Sequence, residues 1–296
     1  MSFMLVPNKI DTGCHHIDEA WAEYSQRILE SSILIADEND DLNWHAFLGH
    51  SVDMQGFRAA EFSGADALSK PVLGFRPLKE RGIGVSQLAN LWDVGAIRRH
   101  LLDGCTGTGI VTSYKVLRDE GGEIGASLAE AFETFPFRKG HKYIRALLQN
   151  SAKLADHAYN FRDWLKAKCE MFGVSDFPPK DFRRPVGLAG MGQNLEEAIC
   201  KQLEKEFFMV GPEIAPYMIC DWQLWLWKEA KTGTFDSFKL DAFHAEFVDK
   251  VNLTGGVGIP KRKADFTEWW YAKCPNVPVR MINECIWLFV EDAKKP

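Results

Sequence analysis

An aspartate and a glycine turn are the features of this chain whose residue types and positions suggest chemistry. Asp241 interrupts an otherwise apolar segment, FKLDAFHAEFV at 238–248, and His244 follows one helical turn later. A carboxylate in such a position either caps its own helix or faces a pocket, where it acts as a base or stabilises a positive charge. Upstream, Gly211 and Pro212 lie between two helical patterns. The two features therefore predict a turn between two helices and an acidic group in a later helical segment.

The glycine turn joins two predicted helices. Asn194 and Glu197 form a capping-box pattern at the start of the first helix. Its apolar positions recur at helical spacing, at Leu195, Ala198, Ile199, Leu203 and Phe207. Gly211 has no Cβ, so a phosphate oxygen can approach its backbone, and Pro212 suits the first position of a second helix, whose free N–H groups favour an anion. The pattern predicts a phosphate-binding helical hairpin, with a plain helical corner as the alternative.

Together, the hairpin and the later acid resemble the helix-hairpin-helix DNA glycosylase superfamily. In that family the hairpin reads approximately LPGVGxKTA, and an aspartate at the start of a later helix acts on the sugar or on the attacking nucleophile. The matching stretch here is FFMVGPEIA at 207–215, and the matching acid is Asp241. Residues 138–165 resemble the long helix that precedes the family's hairpin. The resemblance implies an all-α, helix-hairpin-helix DNA-glycosylase-like fold.

The resemblance also implies how DNA would be held. The hairpin turn would grip a phosphate. Basic clusters occur at 138–145, 180–184 and 261–263, and each is either a solvated helix face or a contact to the DNA backbone. The candidates for these DNA contacts are Val210, Gly211, Pro212, Lys139, Lys142 and Arg262. The target nucleotide would rotate into a pocket with aromatic walls and a polar group for the base edge. The candidates for this base pocket are Trp222, Trp225, Trp270 and Gln223.

The chain departs from the family pattern within the hairpin. Met209 stands where the family has its first hairpin glycine, and Glu213 stands where the bifunctional members have the lysine that forms an imine with DNA. Strand cleavage through a covalent imine is therefore not expected. The four-cysteine iron–sulfur loop of some members has no counterpart, so neither a cofactor nor a metal is expected.

Three functions remain open. The first is a monofunctional glycosylase-like enzyme in which Asp241 stabilises positive charge on the sugar or deprotonates a nucleophile. The second is the thymine-hypermodification branch of bacteriophages, the putrescinyl or alpha-glutamyl thymine pyrophosphorylases. In that branch a small amine displaces pyrophosphate from an activated methyl group on uracil in DNA, and Glu213 is a second candidate for a catalytic base. The third is a non-catalytic helical DNA-binding protein in which Asp241 only caps its helix.

The amino-acid composition limits the class of protein and its expected location. A chain of 296 residues with 46% hydrophobic and 26% charged residues is typical of a soluble globular protein. No apolar run reaches the ~20 residues of a membrane span, and the N-terminus lacks a signal-peptide core. We therefore expect no membrane partner. We also expect an intracellular location, in the cytoplasm, at the nucleoid or in a phage-infected cell. Seven cysteines fit free thiols in a reducing compartment. Net charge is −6, so DNA binding requires that the cations be clustered.

The coarse pattern is helical, with two regions predicted: an N-terminal helical region at 1–136 and a helix-hairpin-helix region at 137–296, which can pack as one unit. Ser86 is predicted to cap a helix that reaches Leu101, and Gly109–Val116 gives a short strand signal. The remaining helices are predicted near 14–35, 125–134, 142–170, 195–208, 213–230, 241–252 and 279–291. Proline and glycine mark 172–192 as a loop.

Overall fold

The computed structural model of the chain describes residues 47–48, 81–103, 109–134, 140–179, 181–182, 184–187, 192–212, 214–216 and 218–219. Apart from residues 181–182, these belong to one compact unit, Ile35–Pro179 with Arg184–Trp222. The following paragraphs concern this unit alone. Predicted helices near 14–35, 241–252 and 279–291 lie outside the described residues.

Helices account for all of the regular secondary structure in the described ranges. They are α1 Val85–Asp93, α2 Gly95–Leu102, α3 Gly109–Glu120, α4 Gly122–Thr134, α5 Gly140–Lys153, a 3₁₀ turn Ala155–His157, α6 Phe161–Met171 and α7 Leu195–Glu206. The one β-type pairing within those ranges is an isolated antiparallel bridge between Pro185 and Asn194. The all-α prediction is therefore confirmed for the described residues. No helix among them is both long and apolar enough to cross a membrane.

The helix predicted to begin at Ser86 begins one residue earlier and is broken. Gly84 occupies the cap position, and its backbone N–H donates to Gln87 Oε1 at 3.0 Å. Ser86 is already inside the helix, where its hydroxyl donates to the same oxygen at 2.9 Å. Val94 then adopts an extended conformation, with ψ 108°, and separates α1 from α2. The cap prediction was wrong because the glutamine side chain supplies the capping acceptor in place of Ser86.

The strand signal at Gly109–Val116 was also wrong, because this segment lies within α3. Its β-branched and aromatic residues favour a strand locally, but local propensity yields to packing. Helix α3 packs closely against α4, and a Cβ on Gly125 would lie 2.2 Å from the carbonyl oxygen of Leu117. Gly125 therefore permits a close approach between the end of α3 and the start of α4.

The sequence predicts one long helix at 142–170. The structure has two helices there, α5 and α6, which are not continuous. Helix α5 ends at Lys153, and Ala158 and Tyr159 adopt left-handed backbone conformations, with φ 52° and 58°. Asn160 then caps α6, its Oδ1 accepting a hydrogen bond from the backbone N–H of Arg162 at 2.8 Å. Continuity fails because two successive left-handed residues end the helical hydrogen-bond ladder and Asn160 starts a new one.

The core forms where α1 and α2 pack on α5, and where α6 packs on α7. Tyr143, Ile144, Leu147 and Leu148 form the fully buried apolar face of α5. Beyond α6, the described residues of the predicted loop 172–192 contain no helix, which confirms that prediction for them. The loop closes on α7, because the backbone N–H of Leu195 donates to the Arg184 carbonyl at 3.1 Å.

Candidate nucleic-acid interface

Helix α7 forms as its sequence predicts. The Asn194 side chain accepts from the Glu197 backbone N–H at 2.8 Å, and Glu197 Oε2 accepts from the Asn194 N–H at 3.2 Å. This reciprocal pair satisfies two of the donors that a helix start leaves open. The predicted apolar face is buried in full, at Leu195, Ala198, Ile199, Leu203 and Phe207. Helix α7 therefore ends in a fixed position, and that position sets the start of the turn.

The turn after α7 leads directly into a second helical segment. Phe207 is the C-cap residue, and its N–H donates to the Leu203 carbonyl at 3.0 Å. The Gly211 carbonyl then accepts from the N–H groups of Ile214 and Ala215, at 2.9 and 3.0 Å. Helical backbone follows at 215–216 and 218–219. The predicted order of helix, turn and helix is confirmed for its described residues.

Met209 has the most unusual backbone of the turn. Its φ is 65°, in the left-handed region that glycine adopts readily and that other residues adopt at a cost of about 1 kcal/mol. This is the position at which the family pattern has its first hairpin glycine. The turn thus keeps a glycine-like backbone although its residue is methionine. The fold must therefore hold this conformation from outside the turn.

Asn150 of α5 stabilises this turn conformation through two hydrogen bonds. Its Nδ2 donates to the Phe208 carbonyl at 3.0 Å, and its Oδ1 accepts from the Phe208 N–H at 2.7 Å. The Asn150 side chain is completely buried, so both bonds are partly shielded from water. The amide pairs with the backbone of residue 208 as a neighbouring strand would, and it thereby fixes the peptide units on either side. We refer to this pair of bonds as the Asn150 clamp.

A cation lies against the same turn. The guanidinium carbon of Arg145 is 4.0 Å from the centroid of the Phe208 ring, and its Nε donates to Gln149 Oε1 at 2.9 Å. Arg145 is half-buried, whereas Lys142, three residues earlier on α5, is exposed. Residues three apart on a helix are neighbours. Helix α5 therefore carries two neighbouring positive charges, one of them in contact with the turn.

Aromatic residues pack beneath the start of the turn. The Phe207 ring lies 4.9 Å from that of Phe47 and 5.2 Å from that of Trp164, measured between centroids. Trp164 Nε1 donates to Glu206 Oε2 at 2.8 Å, and Lys168 Nζ donates to Glu206 Oε1 at 2.6 Å. The Lys168 and Glu206 side chains are 14% and 29% exposed, so this ion pair is partly shielded. Both contacts fasten the end of α7 to α6.

His141 lies at the start of α5, and His100 lies on α2. His100 Nε2 is 3.1 Å from the buried Ser113 hydroxyl. Within the described part of the chain, His141 Nδ1 is buried and has no hydrogen-bond partner. Burial lowers the pKa of His141 below 6.5, and the charges of Lys142 and His100 lower it further. Within the described ranges, no group of three or more His, Cys, Asp or Glu side chains is arranged to bind a metal.

The structure places only some of the candidate residues. Val210 is buried, Gly211 is half-buried, Pro212 is exposed, and Lys142 is exposed on α5. The remaining candidates, for catalysis, DNA contact and the base pocket, lie outside the described residues, and their roles stay predictions: Asp241, Glu213, Lys139, Arg262, Trp222, Trp225, Trp270 and Gln223.

Two groups of residues that support the turn were not identified from the sequence. Asn150 is one, although a buried asparagine inside an apolar helical face is a signal, since such a side chain requires a partner. The other is the set Trp164, Lys168 and Glu206, whose members are separated by up to 42 positions. Their pairing follows from the packing of α6 on α7, which periodicity does not specify.

Comparisons with known proteins identified no relative of this chain. No family model, no curated protein and no solved structure matches this chain. The likeness to the glycosylase hairpin therefore depends on residues 207–215 and on the turn described above.

Proposed function

We propose that this chain binds DNA through the hairpin formed by α7, the turn 207–212 and the helical segment after it. The observation that carries the proposal is the backbone of the turn. Met209 adopts a glycine-like φ of 65° at the position of the family's first hairpin glycine, and Gly211 provides the carbonyl that starts the second helical segment. Among the described turn residues, Phe208 and Val210 donate their N–H groups within the fold and Pro212 has none, so the N–H groups of Met209 and Gly211 are the candidates to hold an anion. In the family, a DNA phosphate is the anion that such a hairpin binds.

The charges around the turn support this proposal. Arg145 contacts the turn and Lys142 is exposed beside it on the same helix. Phosphate contacts of this kind supply most of the affinity of sequence-independent DNA binding. A net charge of −6 does not prevent it, since only the cations that face the phosphates release counterions.

The finer proposal concerns chemistry on the base. In the glycosylase-like mechanism, the ionised Asp241 stabilises positive charge on the sugar or deprotonates a nucleophile, after the nucleotide rotates out of the helix. An Asp241→Asn variant tests this part, with mass spectrometry of the nucleosides from DNA incubated with the protein. Base release or modification that persists in the variant would contradict a catalytic Asp241.

The experiment for the hairpin compares two glycine variants of the same type. Among the described residues, no atom lies within 4 Å of a Cβ added to Gly211, and the same is true of Gly95 at the start of α2. Neither residue has a left-handed φ, so a Cβ is accommodated at both positions. Gly211→Val should weaken binding to a fluorescent duplex by about tenfold or more, because the branched side chain blocks the approach of a phosphate to the backbone N–H groups.

Gly95→Val is the matched control and should bind as the wild type does. Circular dichroism and urea unfolding establish that both variants fold. Equal affinity of Gly211→Val and Gly95→Val would overturn the proposed function. Loss of binding in Gly211→Val alone would support it, and the slope of log affinity against log salt should then fall by about one unit per lost contact.

A further inference from the structure

A second candidate binding surface lies on α6, on residues that have no part in the hairpin. Asn160, Arg162, Asp163, Lys166 and Phe177 line a cavity of about 310 Å³. This volume is at the lower end of the range for sites that bind small molecules. Most such sites are apolar, whereas this one has four polar residues and a single aromatic one. Its composition therefore favours a small, charged ligand.

The charges of the cavity favour an anion. Arg162 and Lys166 are four residues apart on α6, so their side chains are neighbours on one side of the helix. Lys166 and Asp163 are exposed, and within the described part of the chain neither makes a hydrogen bond or an ion pair. Of the side chains that line the cavity, two are cationic and one is a carboxylate. The Asp163 carboxylate can accept a hydrogen bond from a donor on the ligand.

We propose that this cavity binds a nucleoside phosphate. The phosphate would take charge-assisted hydrogen bonds from Arg162 and Lys166. The base would stack on the Phe177 ring, and a sugar hydroxyl or an exocyclic amine would donate to Asp163. An inorganic anion would leave Phe177 and Asp163 without a role, and Asp163 would repel an acidic peptide. A nucleoside phosphate uses all four side chains.

The ligand has two sources with the same chemistry, a free nucleotide or one nucleotide of a bound strand. The second source rests on the proposed DNA binding, whereas the first stands without it. Trp164 lies between Arg162 and Lys166 in the sequence of α6, and its ring is 5.2 Å from the ring of Phe207, where the turn begins. The cavity and the packing that supports the turn therefore share helix α6, within about one helical turn of each other along its axis.

The test uses thymidine 5′-monophosphate, thymidine and a fluorescent oligothymidylate strand as probes. Lys166→Gln removes one cation and Phe177→Leu removes the stacking surface. Lys201→Gln is the matched control, since Lys201 is exposed on α7 and does not line the cavity. Calorimetry with the mononucleotide and anisotropy with the strand are measured on the full chain, together with Gly211→Val.

If a free nucleotide is the ligand, the monophosphate binds saturably and thymidine does not, and Lys166→Gln and Phe177→Leu each weaken it about tenfold, or about 1.4 kcal/mol. If a strand nucleotide is the ligand, the same two variants weaken the oligothymidylate by that factor. Lys201→Gln leaves either affinity unchanged.

The proposal is overturned if neither probe responds to Lys166→Gln, or if Lys201→Gln has the same effect. Its failure is distinguishable from failure of the hairpin. Loss of strand affinity in Gly211→Val, with neither the mononucleotide nor the strand responding to Lys166→Gln, would overturn the cavity alone. Mononucleotide binding that depends on Lys166, in a chain that does not bind DNA, would overturn the hairpin alone.

Discussion

At the scale of single residues, Met209 determines how strained the turn is. A left-handed φ of 65° costs a non-glycine residue about 1 kcal/mol and costs a β-branched residue more. We expect Met209→Gly to unfold in urea at the same or a higher concentration than the wild type, because the lost strain offsets the greater entropy of glycine in the unfolded chain. Met209→Val should lower the free energy of unfolding by more than about 1 kcal/mol. Equal stability of the glycine and valine variants would show that the turn is not strained in solution.

Cys169 illustrates how burial controls reactivity. The thiol is 1% exposed, and burial, with smaller contributions from Asp176 and Glu170, raises its pKa to about 12. Since the thiolate is the reactive form, iodoacetamide at pH 8 should leave Cys169 unmodified in the folded chain and alkylate it in urea. Peptide mass spectrometry reads both states. Rapid alkylation of Cys169 in the folded chain would contradict the burial of this thiol.

His141 makes the stability of the chain depend on pH. Burial lowers its pKa below the ordinary 6.5, with Lys142 and His100 acting in the same direction. The unfolded chain therefore binds this proton more tightly, so the stability is present above pH 6.5 and is lost as the pH falls through the lowered pKa of the folded state. His141→Gln should lose less stability than the wild type between about pH 7 and pH 5. Identical pH profiles in urea unfolding would refute this assignment.

At the scale of elements, the Asn150 clamp connects α5 to the turn after α7. Asn150→Ala should remove the two hydrogen bonds to the half-buried Phe208 backbone, which costs about 1–2 kcal/mol of unfolding free energy. Asn90→Ala, at an exposed position in α1, is the control and should cost little. If the turn binds DNA, Asn150→Ala also weakens that binding. Equal stability of the two variants would show that the clamp does not hold the turn.

The elements differ in how far their sequences determine them. Helix α7 was predictable because the capping box of Asn194 and Glu197 and the apolar spacing act within the helix itself. Helix α3 was not, since its β-branched residues favour a strand and only its packing on α4 at Gly125 makes it helical. The break at Ala158 and Tyr159 also escaped prediction, because neither residue type favours a left-handed backbone.

The sequence predicted only those parts of the candidate interface that depend on residues close together in the chain. The order of helix, Gly211 turn and helix followed from the sequence, since glycine permits a turn and proline fixes φ at the start of the next helix. The Asn150 clamp and the contact of Arg145 with Phe208 join residues about 60 positions apart. Such pairs depend on the tertiary packing of α5 against the turn, which one sequence without its fold does not specify.

At the scale of the whole molecule, the described residues form a helical unit in which α5, α6 and α7 converge on one turn. The clamp restrains it from α5, and the aromatic packing of Phe207 and the Glu206 contacts restrain it from α6. Such convergence fits a turn whose backbone has to be rigid when it binds a ligand, since a preorganised site loses less entropy on binding.

The absence of an imine-forming lysine in the turn leads to a prediction for the whole protein. Glu213 stands where the bifunctional glycosylases have lysine, so borohydride should trap no covalent adduct between this protein and DNA that carries a damaged or abasic site. Gel electrophoresis under denaturing conditions detects such an adduct. A trapped complex would show that another lysine, such as Lys239 beside Asp241, forms the imine.

The most direct measurement of the central claim is hydrogen–deuterium exchange of the full chain with and without duplex DNA. If the turn 207–212 holds a phosphate, DNA should slow exchange in the peptides that cover residues 207–216, because the bound oxygen shields their N–H groups. The same peptides should show no change in Gly211→Val, while Gly95→Val should behave as the wild type. DNA-dependent protection elsewhere in the chain, with exchange at 207–216 unchanged, would contradict the account.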